Sequence, residues 1–164
     1  MSRRSKLICL PALIVALWAS SASAQAPPPP YGAPIGLEAA KKAAAAAVAE
    51  ARKNNWTMAV AVTDAAGELV YFEKMDGLQT GSVAVAQGKA RSAAMFKRPT
   101  KVWQDIVAGG GDGLRILTLQ GAVAIEGGVP LIVDGKLVGA IGLSGGSAAQ
   151  DGQCARAGAD AVKP

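Results

Sequence analysis

The pentapeptide Gly142-Leu143-Ser144-Gly145-Gly146 has the G-x-S-x-G spacing with which serine hydrolases hold a nucleophilic hydroxyl on a sharp strand-to-helix turn. That chemistry needs a base to take the serine proton, and the usual base is an imidazole. The chain has no histidine among its 164 residues. A lysine base would call for an S-x-x-K spacing, and Ser144 is not followed by one. The same absence removes Cys–His pairs and histidine-rich metal sites. No catalytic constellation is evident, and the pentapeptide reads as a place where a strand turns into a helix.

Other chemistry-bearing residues are sparse. The loop Gly109-Gly110-Gly111-Asp112-Gly113 lacks the order of a phosphate-binding P-loop and no lysine follows it, so it reads as a surface loop. Asp76 and Asp151 each sit in a glycine-containing break beside an expected helix, where a carboxylate either caps the helix or serves a site. Lys89, Arg91, Arg98 and Lys101 form a basic group able to hold an anionic ligand. Lys89 and Arg91 fall on an otherwise small, apolar segment, so at least one of them is expected to approach the interior.

These residues need elements to position them. Leu37 to Lys53 is alanine-rich and reads as a helix. Trp56 to Thr63 and Glu68 to Lys74 alternate as strands around the turn Asp64-Ala65-Ala66-Gly67. A second helix is expected from Ser82 to Phe96, stopped by Arg98-Pro99, then a short one around Trp103 and a short strand from Leu114 to Leu119. Gly127 to Gly146 reads as a hairpin turning at Asp134-Gly135, followed by a last helix from Ala148 to Val162. On its second strand Leu137, Gly139, Ile141 and Leu143 share one face, and Val138, Ala140, Gly142 and Ser144 share the other. That second face is small, which suits either close helix packing or a flat ligand. Hairpins dominate and βαβ alternation is missing, so the expected class is α+β: an antiparallel sheet of about five strands flanked by helices.

The ends set the context. Arg3, Arg4 and Lys6, the apolar run Leu7 to Trp18 and Ala22-Ser23-Ala24 together read as a signal peptide over residues 1–24. Residues 25–36, with Pro27 to Pro30 and Pro34, read as a proline-rich tether, and 37–164 as a single domain. Removing the leader takes three of the 17 basic residues and none of the 12 acidic ones, which lowers the net charge from +5 to +2. With no basic stripe or aromatic platform, nothing points to nucleic acid. After cleavage no membrane span is expected, and the product should be periplasmic or secreted. Cys154 is left as a lone thiol once Cys9 departs, and reads as a buried small apolar residue.

The segments Ala61-Val62-Thr63-Asp64-Ala65-Ala66-Gly67-Glu68-Leu69-Val70, Met75-Asp76-Gly77, Lys89-Ala90-Arg91-Ser92-Ala93, Arg98-Pro99-Thr100, Gly127-Gly128-Val129-Pro130-Leu131, Gly139 to Gly145 and Gln150-Asp151 occur in the order of a known family. Over about Leu37 to Val162 the chain resembles the GlcG/HbpS-type proteins, related to the C-terminal domain of PduO. The resemblance implies profilin-like layering, homo-oligomers, and binding of haem or a related tetrapyrrole. Without histidine, iron would have to use Met58, Met75, Met95, Tyr71, Cys154, a hydroxyl such as Thr100, or no protein ligand. Propionates would favour Lys89, Arg91, Arg98 or Lys101. Met75, Asp76, Lys89, Arg91, Arg98, Thr100 and Lys101 are thus the expected ligand-binding residues. The function they suggest is an exported oligomeric binding protein for haem or another flat anionic ligand. The alternatives are a catabolic enzyme for a small hydroxy acid and an accessory oligomer with no small ligand.

Overall fold

A computed structural model describes residues 27–164; the expected signal peptide and its cleavage site lie outside the described residues. The order is α1 (Leu37–Lys53), β1 (Ala59–Asp64), β2 (Leu69–Lys74), α2 (Gly81–Met95), α3 (Thr100–Ala108), a 3₁₀ helix (Gly111–Thr118), β3 (Gly128–Val133), β4 (Lys136–Ser144) and α4 (Ala148–Asp160). The α+β reading holds, with four strands rather than about five. The sheet order is β2-β1-β4-β3, antiparallel throughout.

The missing strand is the one expected over Leu114 to Leu119. Gly110 and Gly111 take positive φ of 68° and 54° ahead of it and set up a tight helical turn instead. None of the residues of this 3₁₀ helix is buried.

Both hairpins follow from their turns. Asp64 Oδ1 accepts the backbone N–H groups of Ala66 and Glu68, each at 2.9 Å, and closes the first. Asp134 and Gly135 have φ of 48° and 72°, the paired positive values of a two-residue turn matched to strand twist. The hairpins then join through β1 and β4, where Val60 faces Leu143, Ala61 faces Gly142 and Val62 faces Ile141.

Pleating divides the sheet into a large-residue face and a small-residue face. Met58, Val60, Val62, Leu131, Ile141 and Leu143 pack under α1 and α4. The helices approach closely because α1 buries Ala40, Ala43, Ala44, Ala47, Val48 and Ala51, spaced to form one stripe. Cys154 sits in this core, and burial pushes its thiol up to about 11. A thiol reagent should therefore label it only on unfolding. Because the unfolded thiol ionises first (reference 9.0), stability from this group is intact below pH 9 and is lost as pH rises towards 11. The loss should reach roughly 2–3 kcal/mol, and Cys154→Ala should flatten it in urea titrations at stepped pH.

The other face carries Ala59, Ala61 and Ala140, and α2 lies on it through Ala86, Ala90, Ala93 and Ala94. A Cβ at Gly142 would overlap the carbonyl of Ala86 and the amide of Ala90, so the small face is closed by the helix backbone and is not a ligand wall. Residues 30–35 run beside β4 where β1 has ended: Leu137 N donates to Pro30 O, Gly32 N to Leu137 O and Ile35 N to Val138 O, all at 2.8 Å. The stretch expected as a tether is docked here, with Ile35 in the core. Among the described residues no helix is long and apolar enough to cross a membrane.

Candidate functional site

Of the basic group, Lys89 alone goes inward. Its Nζ lies 2.7 Å from Asp151 Oδ2 and donates to Leu143 O at 3.1 Å, and the pair's side chains are 1% and 3% exposed. Asp151 Oδ1 accepts Gly146 N at 3.0 Å. Burial raises the Asp151 carboxyl above its ordinary range; the bond and charge of Lys89 and the backbone amides of Gly146 and Gly145 oppose that. A Cβ at Gly127 would stand 2.8 Å from Lys89 Nζ, so glycine makes the room for the amine. The pair ties α2, the end of β4 and α4 together around the end of the sheet, sealed from solvent. Ser144 is likewise nearly buried at the strand end, and the next residues start α4 with a capping box between Ser147 and Gln150.

The other expected residues are scattered over the fold. Met75 Sδ accepts Met58 N at 3.3 Å, and Asp76 borders a shallow polar recess with Arg52 and Glu73, at the end of β2. Arg91 points outward, with Nη1 3.7 Å from Glu68, beside a cleft lined by Thr63, whose buried hydroxyl has no partner among the described residues. Arg98 stacks on Trp103 at 4.7 Å and donates from Nε to Phe96 O. Thr100 is fully buried and its Oγ1 accepts Gly128 N at 2.9 Å.

Only Lys101 reaches the principal cavity, a hollow of about 560 Å³. It lies along the free edge of β3, with Gly128, Val129, Pro130 and Ile132 on one side and Arg156, Ala159, Asp160 and Lys163 of the α4 end on the other. Pro29, Lys97, Pro99, Lys101 and Glu126 complete the wall. Pro130 has no N–H to offer there, which suits an edge strand. Thr100 and Lys89 support this wall from behind, because a Cβ at Gly128 would overlap Lys89 O and sit 2.7 Å from Thr100 Cγ2.

The floor is apolar and the rim charged. Lys97, Lys101, Arg156 and Lys163 stand against two acids, Glu126 and Asp160. Arg156 Nη1 holds Glu126 Oε1 at 2.7 Å, Lys101 holds Asp105 at 2.7 Å, and Lys163 holds Asp160 at 2.5 Å. The hydrogen bond that Lys101 donates to Asp105 is the main cause that raises its amine above the ordinary value. Lys97 differs: its Nζ lies 3.6 Å above the Tyr31 ring and donates to Pro29 O at 3.3 Å, and among the described residues it forms no salt bridge. It is the rim cation ready for an incoming carboxylate. Sequence reasoning missed Lys97, Glu126, Arg156 and Lys163. Nothing in their local patterns signals that the proline-rich segment, the β3 edge and the α4 end converge.

The family described as "Haem degrading protein HbpS-like" matches residues 35–160. Escherichia coli GlcG is 39% identical over 100 residues, covering 61% of this chain and 73% of GlcG. The crystal structure of a PduOC–haem complex superimposes with a TM-score of 0.70 at 29% identity, covering 78% of this chain and 94% of that one. A doubly substituted Streptomyces reticuli HbpS gives 0.72 at 31% identity over 92% and 97%.

Proposed function

Because the chain belongs to the HbpS-like family, we propose that it is an exported, oligomeric protein that binds haem or a related tetrapyrrole in the cavity along the β3 edge. The observation that carries this reading is the combination of an apolar floor with cations at the rim, in a hollow of about 560 Å³. That volume lies within the usual range for ligand pockets. Val129, Pro130, Ile132 and Pro29 would take the flat macrocycle, and Lys97 with Lys101 would take the propionates. The haem complex of a structural relative and the family description support the ligand class.

Titration of purified protein with hemin should give a saturable Soret change. Lys97→Ala should weaken it about tenfold, the loss of one charge-assisted contact. Arg91→Ala, on the far side of α2, should leave it unchanged. Absence of saturation in the wild type would rule out haem as the ligand.

Assembly is supported by Ile106, Leu114, Leu117, Leu119 and Ile125, large apolar residues left exposed around α3 and the 3₁₀ helix, with Leu117 67% exposed. A second copy covering this face would bury them. Leu117→Asp should then shift the sedimentation coefficient to that of a monomer; a wild-type monomer at micromolar concentration would count against the assembly. Export rests on the pattern of residues 1–24, and cell fractionation of the full-length chain tests it.

A further inference from the structure

We infer that this cavity recognises the macrocycle and its carboxylates but gives the metal centre no strong protein ligand, so that iron-free porphyrin binds as tightly as haem. The inference rests on the cavity being the tetrapyrrole site. Proteins hold haem iron through histidine, cysteine thiolate, methionine or tyrosinate. The chain has no histidine, and among the described residues the cavity wall contains no cysteine, methionine or tyrosine.

Among the described residues, the side chains that could substitute lie elsewhere; Met95 is exposed and packs beside Gly67 in the turn of the first hairpin. Met58 and Cys154 are fully buried in the core under α1 and α4, and the thiol is held protonated. Met75 Sδ already accepts a backbone N–H at the far end of the sheet. Thr100 lies behind the wall, its oxygen committed to Gly128. Tyr71 donates to Glu73 on β2, at the opposite edge of the sheet from β3. Glu126 is the one acid held deep in the wall, and Arg156 fixes it as an ion pair. Tyr31 is the nearest phenol by sequence to Pro29, and its ring is covered by Lys97.

What remains for recognition is shape, apolar contact and propionate charge, none of which depends on the metal. Such a site discriminates by the porphyrin edge and not by its centre.

The test compares hemin, protoporphyrin IX and zinc protoporphyrin on the full protein by absorbance and tryptophan quenching. Dissociation constants should agree within about threefold, under 1 kcal/mol apart. The hemin complex should lack the bands of nitrogen-, sulfur- or phenolate-ligated iron, and Tyr31→Phe should leave its spectrum unchanged. Hemin binding tenfold or more tighter than protoporphyrin IX would overturn the inference while leaving the cavity assignment standing. A ligated spectrum lost in Tyr31→Phe would do the same. If none of the three porphyrins saturates, the tetrapyrrole site itself fails, and this inference with it.

Discussion

Lys89→Met should destabilise the protein by about 3–5 kcal/mol, and Asp151→Asn by a similar amount, because each strands its partner in an interior with almost no access to water. The melting temperature should fall by roughly 10 °C. The two losses differ in their pH dependence. In Lys89→Met the stranded group is a carboxylate, which can shed its charge by taking up a proton, so the penalty should shrink in acid. In Asp151→Asn the stranded group is an ammonium left with only neutral acceptors, the amide oxygen and the Leu143 carbonyl, and acid brings no relief.

The wild type has its own acid signature. The folded Asp151 carboxyl binds its proton more tightly than the reference value of 3.8. Its contribution is therefore present below that value and declines as pH rises through the raised one. The double variant Lys89→Met/Asp151→Leu should recover most of the loss, since an apolar replacement of a buried pair is often neutral. Urea unfolding of the wild type, Lys89→Met, Asp151→Leu and the double variant closes the cycle. Additive losses would show that the two charges are not coupled.

Gly142→Ala should cost about 3 kcal/mol, near the upper end for overpacking. The new methyl meets the Ala86 carbonyl and the Ala90 amide, both part of the α2 backbone. No side chain can rotate away, so the helix must lift from the sheet. Gly81→Ala, with nothing within 4 Å of the added atom, should be neutral or stabilising by about 0.5 kcal/mol. Equal midpoints for the two variants in thermal unfolding would mean that α2 does not lie as close as described.

The local chemistry of the fold was legible in the residues. Asp134-Gly135, the alternation in β1 and the alanine stripe of α1 announce a turn, a strand and a helix because each is decided within a few residues of itself. The 3₁₀ helix was misread because Leu114 to Leu119 is apolar enough for a strand, while its shape is set by two glycines ahead of it. The site was mostly illegible. Lys89 and Asp151 could be singled out, yet their pairing depends on the register between β4 and two helices. The cavity draws on residues from Pro29 to Lys163, and no spacing rule links them. Lys97 looks like one more charge beside Arg98 until Tyr31 and Pro29 are brought against it.

The strand order has a consequence for how the chain comes into being. β1 leaves the ribosome early, yet its inner neighbour β4 is among the last segments made. Until residues 139–144 exist, the first hairpin presents an open hydrogen-bonding edge along β1, and the α4 side of the core over Val60 and Val62 is missing. Long-range closure of this kind is slow and exposes a sticky intermediate. The nascent protein therefore stays uncommitted for most of its synthesis. A chain stalled short of Gly139 would be a substrate for chaperones and proteases.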